Sequence, residues 1–128
     1  MNPLPARLLL IDDLRSPLRE TIALYDEVVI ARTSAEAIEI LSSPGGMSWT
    51  NVMFDHDLGG EDDIRPVIRH IEEQTRLGNP LRVTVSLAHS DNPVGKKWIV
   101  DSMRSIGVPC VSLTNTDRAD LLTYEDPH

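Results

Sequence analysis

Cysteine is nearly missing from this 128-residue chain: Cys110 stands alone, so no intrachain disulfide can form, and a reducing compartment suits the sequence. Aromatic residues are also scarce, with one Phe, two Trp and two Tyr. That leaves Trp49 and Trp98 as the only large platforms on which a base could stack, and helical spacing assigns Trp98 to the core. Basic residues are outnumbered, 12 Lys+Arg against 20 Asp+Glu, for a formal net charge of -8. This excludes a broad electrostatic grip on a phosphate backbone, and with it an extended duplex as partner. No apolar run approaches the roughly 20 residues that span a bilayer. Met1-Asn2-Pro3-Leu4-Pro5 lacks the apolar core of a signal peptide, so no membrane partner is expected and the cytoplasm is the expected location.

What is present is an ordinary globular composition, 41% apolar and 25% charged. A chain of this length buries roughly two-thirds of its unfolded surface without a staple, so residues 1–128 read as one domain. Cys110, within Val108-Pro109-Cys110-Val111, reads as a buried structural thiol.

Five short apolar runs read as strands buried on both faces: Arg7 to Ile11, Val28-Val29-Ile30, Val52-Met53-Phe54, Val83 to Leu87, and Val108 to Leu113. Helical signals separate them. Ser16-Pro17 predicts an N-cap and first helical position opening Leu18 to Tyr25. Thr33-Ser34-Ala35-Glu36 fits a capping box. A third helix is expected from Asp62 to about Leu77, with Ile64, Val67, Ile68 and Ile71 on its inner face, and a fourth opens at Asn92-Pro93 and closes at Gly107. Ser42 to Gly46 reads as a loop, and residues 114–128 as a polar tail or short helix. The alternation predicts a three-layer α/β/α fold of flavodoxin or receiver type, with a five-stranded parallel sheet in the order 2-1-3-4-5 and a reduced or absent last helix. A thinly covered sheet face would favour a homodimer.

In such a fold, ligands bind outside the carboxyl ends of the strands. Asp12, Asp13 and Arg15 follow the first strand; Asp55, His56, Asp57 and Gly59-Gly60 follow the third; His89, Ser90 and Asn92 follow the fourth. Neighbouring first and third strands bring Asp12 or Asp13 close to Asp55, and clustered carboxylates call for a cation or a shared proton. Mg²⁺ (or Mn²⁺) is the expected cofactor, with Asp12, Asp13, Asp55 and Asp57 as candidate ligands. His56 and His89, each at a strand end, can serve as acid, base, ligand or phosphoryl donor. Arg15, Ser90, Asn92 and Lys96 are candidate phosphate contacts, although Asn92 also suits the N-cap of the fourth helix and Ser90 a turn. His70 and His128 read as solvated.

Three blocks, Ile11-Asp12-Asp13-Leu14-Arg15-Ser16-Pro17, Phe54-Asp55-His56-Asp57-Leu58-Gly59 and His89-Ser90-Asp91-Asn92-Pro93-Val94-Gly95, resemble the cyclic-phosphate-processing receiver-like domains of the response-regulator receiver superfamily. The resemblance implies a receiver-like fold and an activity on cyclic phosphates, with Asp12, Asp13 and Asp55 as an acidic metal site and His56 and His89 as added chemistry. Two departures stand out. Gly60-Glu61-Asp62-Asp63 adds negative charge before the third helix, and the fifth strand ends Ser112-Leu113-Thr114-Asn115, where ordinary receivers carry a lysine. The expected function is a metal-dependent phosphoesterase that acts on a small cyclic nucleotide or a cyclic-phosphate RNA end, with Asp55, His56 and His89 catalytic. The alternatives are a receiver phosphorylated at Asp55 and a non-catalytic binding module.

Overall fold

The computed structural model describes residues 4–124. Its elements run β1 (Arg7–Ile11), β2 (Ser16–Pro17), α1 (Arg19–Ile22), β3 (Glu27–Ala31), α2 (Ser34–Ser42), β4 (Asn51–Asp55), α3 (Arg65–Arg76), β5 (Val85–His89), α4 (Pro93–Ser105), β6 (Cys110–Ser112), α5 (Asn115–Ala119) and β7 (Leu122–Thr123). His128, read as solvated, lies outside the described residues.

Five parallel strands form one sheet in the order β3-β1-β4-β5-β6, which is the predicted flavodoxin-like order once the two-residue strands are set aside. The continuous apolar runs dictate it. Leu8, Leu9, Leu10 and Ile11 of β1 and Val52 and Phe54 of β4 have no exposed surface, because both faces of these central strands are covered. The larger core lies on the α2–α3–α4 side and gathers Leu9, Ile11, Phe54, Ile68, Ile71, Ile99 and Met103. The opposite core is small: Leu8, Leu10, Met53 and Leu122, flanked by half-buried Tyr25, Val28, Ile30 and Leu87. Trp49 is buried against the core, with its Nε1 donating to Gly46 O at 2.6 Å and the Arg7 guanidinium 4.1 Å above its ring, so it is not a base platform. Cys110 is likewise buried.

Helix starts follow their caps. Thr33 Oγ1 accepts from Glu36 N at 3.1 Å, while the Glu36 carboxylate reaches one residue past the box to Arg32 N at 2.7 Å. Asn92 Oδ1 accepts from Gly95 N at 3.0 Å ahead of Pro93. Helix α3 begins at Arg65, three residues later than expected, because Asp62 is drawn to Ser34 and Asp63 Oδ1 accepts from Arg65 N.

The first predicted helix is the largest departure. Ser16–Pro17 does not cap it but pairs antiparallel with Leu122–Thr123, and Leu18 N donates to Leu121 O at 2.9 Å. Helix α1 shrinks to four residues because this long-range pairing takes the backbone that the Ser-Pro signal offered to a helix. Residues 113–124 are therefore part of the domain: α5 carries a full capping box on Thr114 and Asp117, and β7 clamps the β1–α1 connection. Among the described residues, no helix is long and apolar enough to cross a membrane.

Candidate functional site

Register builds the site. Asp55, the last residue of β4, pairs directly with His89, the last residue of β5, and Ile11 of β1 pairs with Phe54, so Asp12 leaves the sheet beside Asp55. The fourth strand ends two residues later than expected, which makes His89 part of it and fixes its ring under the loops. Asp12, Asp55 and His89 are all buried, and one ligand atom from each lies within 4.8 Å of the others.

The two oxygens of Asp12 differ. Oδ1 accepts the backbone N–H groups of Leu14 and Arg15 at 2.8 and 2.7 Å, a turn that locks the carboxylate. Among the described residues, Oδ2 is buried without a hydrogen-bond partner, 3.7 Å from His89 Nε2, and both ring nitrogens of His89 are equally unpartnered. Native interiors seldom leave polar atoms in this state, and each costs about 1–3 kcal/mol. Asp12 Oδ2, one nitrogen of His89 and an oxygen of the buried Asp55 carboxylate together match the donor types of a divalent cation site.

The charges agree. Burial first, then the charges of Asp12 and Asp13, raise Asp55 from 3.8 to about 7, against the pull of Arg15. Burial holds His89 down at about 4, with Asp12 pulling the other way, so the imidazole is neutral and ready to ligate. Arg15 supplies the compensating charge, its Nη1 3.6 Å from Asp12 Oδ2 and 3.8 Å from Asp55 Oδ2.

The remaining candidates surround this group. Asp13 and Asp57 stand outside the converging set. The Asp13 carboxylate abuts Gly59, where an added Cβ would lie 2.9 Å from Oδ2 and where φ is +88, so glycine is required. Asp57 is exposed and its Oδ1 lies 2.9 Å from His56 Nδ1. The His56 ring rests edge-on to Trp98, with centroids 6.3 Å apart, and packs directly on Gly95 in the first turn of α4. Ser90 is buried, and its Oγ accepts from Asn92 N at 3.0 Å, while Asn92 caps α4. Lys96 Nζ donates to Leu113 O at 2.9 Å, at the end of β6. His70 sits elsewhere, near Ser42 and beside a cavity of about 370 Å³ at the amino ends of the strands. The acidic stretch before α3 weighs less on the mouth than its sequence suggests, since Asp62 binds Ser34 and Asp63 binds the Arg65 guanidinium.

An added Cβ on Gly95 would fall 2.5 Å from His56 Cγ. Gly95→Ala, which in an open helix would stabilise by up to about 1 kcal/mol, is therefore expected to destabilise by about 1–3 kcal/mol in urea unfolding. It should also shift the His56 ring resonances; a more stable variant with unmoved His56 signals would contradict this packing.

Sequence reading missed four residues. Arg32 of the β3–α2 turn donates to Arg15 O at 2.5 Å and to Ser16 Oγ at 2.9 Å, pinning the loop that carries Asp12. Asp91 and Tyr124 meet Arg15 on its other side, and Arg118 donates to Asp91 there. The hydrogen bond from Arg118 holds Asp91 below the usual carboxylate range. Asp91 lies inside the third motif block, but nothing in the polar tail pointed to Arg118 or Tyr124, because their place depends on the β2–β7 pairing.

Comparison with known proteins bears on this geometry. The family described as "Cyclic-phosphate processing Receiver domain" matches residues 7–105. No curated protein sequence matches the chain. Among solved structures, it is similar to the receiver domain of the histidine kinase CKI1 from Arabidopsis thaliana, complexed with Mg²⁺ and BeF₃⁻, at 13% identity over 84% of this chain and 80% of that one, with a TM-score of 0.49. It is also similar to a fusion carrying the yeast Spc42 trimeric coiled coil, at 25% identity over 89% of this chain and 71% of that one, with a TM-score of 0.48. The sheet order, the three converging strand ends and the family match agree, and the chain belongs to the cyclic-phosphate processing receiver domains.

Proposed function

We propose that this domain is a divalent-cation-dependent phosphoesterase that opens a cyclic phosphate on a small nucleotide or an RNA end. The observation that carries the reading is the buried Asp12–Asp55–His89 group with its unpartnered Asp12 Oδ2 and His89 nitrogens. These three residues would hold the cation, and Asp13 adds negative charge close by. A nitrogen in the donor set suits Mn²⁺ at least as well as Mg²⁺. When bound, such an ion supplies Lewis-acid polarisation of phosphoryl oxygens and lowers the pKa of a coordinated water.

The chain's own groups would do the rest. Arg15, already poised between Asp12, Asp55 and Asp91, would turn its fork to the phosphate, joined by Ser90, Asn92 and Lys96. In hydrolysis, a water oxygen bonds to phosphorus and gives up a proton to solvent, the ring P–O bond breaks, and the departing oxygen takes a proton. His56, held by Asp57 and Gly95 at the mouth, is the donor we assign to that oxygen. His89, with no exposed surface, is a ligand in this scheme rather than a proton shuttle.

The test is hydrolysis of 2′,3′- and 3′,5′-cyclic nucleotides and of cyclic-phosphate-ended RNA with Mn²⁺ or Mg²⁺. Turnover that a chelator abolishes is the expected result; none on any of these substrates would overturn the reading. One observation favours a second reading, phosphorylation at Asp55 as in a signalling receiver. Lys96 from α4 brings an ammonium to Leu113 O, the strand end where ordinary receivers carry their lysine. Incubation with a small phosphodonor, followed by intact-mass measurement, would register the added phosphoryl group.

A further inference from the structure

Beside the acidic group lies a second arrangement that the scheme above touches only through Arg15. Asp91, on the turn between β5 and α4, is gripped by two arginines: Arg118 Nη2 donates to its Oδ1 at 2.5 Å and Arg15 Nη2 to its Oδ2 at 3.4 Å. Arg15 is itself held in place, donating to Tyr124 Oη at 2.6 Å with its guanidinium 4.6 Å above that ring. Arg118 is 9% exposed, yet among the described residues its Nη1 is buried with no hydrogen-bond partner, and besides Asp91 its side chain donates there only a long bond of 3.4 Å, from Nη2 to Asn115 Oδ1. The two arginines, Asp91, Asn115 and Tyr124 line a cavity of about 300 Å³.

The pieces are unequal. Arg15 also faces Asp12 and Asp55, but Arg118 has Asp91 as its one carboxylate partner among the described residues, and its buried, unfilled N–H is costly. The Asp91 side chain is 70% exposed and belongs to a turn, so it can swing away without disturbing either core, whereas the Arg15 and Arg118 side chains are only 9% and 11% exposed. A planar fork pair of this kind matches the tetrahedral oxygens of a phosphoryl group better than it matches one carboxylate.

We propose that Arg15 and Arg118 form a phosphoryl subsite next to the Asp12–Asp55–His89 group, and that Asp91 occupies it as an internal anion which an incoming phosphate displaces. The proposal deepens the phosphoesterase reading and rests on it for the identity of the ligand. That phosphoryl group is either the cyclic phosphate itself or a second phosphate of the same substrate. Asp91 then acts as a threshold against weakly charged ligands, since only an anion that satisfies both arginines replaces it.

The experiment is metal-free titration, in low-salt buffer, of inorganic phosphate, a nucleoside 2′,3′-cyclic phosphate and its 5′-phosphorylated form, followed by NMR. Wild type is compared with Arg118→Gln and Asp91→Ala. Phosphate affinity should fall by about 10-fold or more in Arg118→Gln, the equivalent of one charge-assisted hydrogen bond. It should rise several-fold in Asp91→Ala, a gain that a merely structural Asp91 would not give. Unchanged or weaker binding in Asp91→Ala overturns the proposal, and this arm stands even if Arg118→Gln folds poorly. Stronger binding of the 5′-phosphorylated probe places a second phosphate in the subsite, and equal binding of the two probes places the cyclic phosphate there. Phosphate binding that follows these changes without hydrolysis of any cyclic phosphate keeps the subsite and removes the phosphoesterase; hydrolysis with phosphate binding indifferent to both variants does the reverse.

Discussion

Asp55→Asn is expected to reduce metal-dependent hydrolysis by more than about 100-fold while making the metal-free protein more stable at pH 8. The loss follows from removing one of the three ligands proposed for the cation, where even outer contacts are worth 10- to 100-fold in metal affinity. The gain follows from the same burial that makes the site. Asp55 is raised to about 7 by burial and by Asp12 and Asp13, so above neutrality the folded protein carries an ionised carboxylate among like charges. An amide of the same shape avoids this, and the difference should be about 1–3 kcal/mol, one pKa unit being about 1.4 kcal/mol. The linkage sign follows from the two states. The native carboxyl keeps a proton that the unfolded chain releases near 3.8, so this contribution is complete below that pH and is lost as pH rises to about 7. Urea unfolding of both proteins from pH 4 to 8, without metal, checks it; a variant less stable than wild type at pH 8 would contradict the assigned burial.

His89→Gln tests the other half of the site and should give the opposite pH signature. The imidazole is held at about 4 by burial, below its ordinary 6.5. The unfolded chain therefore binds a proton that the native site refuses, and the His89 contribution is complete above 6.5 and is lost as pH falls toward 4. In wild type the two groups oppose each other between about pH 4 and 6.5, and above that only the decline from Asp55 remains. With His89 replaced, metal-free stability should fall steadily from pH 4 to 7; with Asp55 replaced it should rise to 6.5 and level off. Hydrolysis should drop by about 100-fold or more in His89→Gln together with Mn²⁺ affinity. Lost hydrolysis with Mn²⁺ affinity intact would move His89 from ligand to proton donor.

How much of this was legible in the chain depends on the range of the contacts. The apolar runs at β1, β4 and β5, the caps at Thr33 and Asn92 and the spacing of Ile64, Val67, Ile68 and Ile71 are local signals, and they predict the sheet order and three of the helices. The site residues could be collected because parallel strands deliver their carboxyl ends to one edge, and Asp12, Asp55 and His89 do meet there. Which carboxylates converge was not legible: Asp13 and Asp57 are one and two residues from true members of the group, and side-chain direction at a strand end is set by the turn that follows. The Ser16–Pro17 signal misled because its partner, Leu122–Thr123, is about a hundred residues away. The same distance hid Arg118 and Tyr124.

If Asp12, Asp55 and His89 hold a divalent cation, Mn²⁺ titration followed by electron paramagnetic resonance reads that site itself. Wild type should bind one Mn²⁺, more tightly at pH 8 than at pH 6, because the ion must displace the proton that Asp55 holds up to about 7. Asp12→Asn, which keeps the Oδ1 acceptor for Leu14 and Arg15 but neutralises the unpartnered oxygen, should lose that binding. A wild type that binds no Mn²⁺ at millimolar concentration, or an Asp12→Asn variant that binds it equally well, would contradict the account.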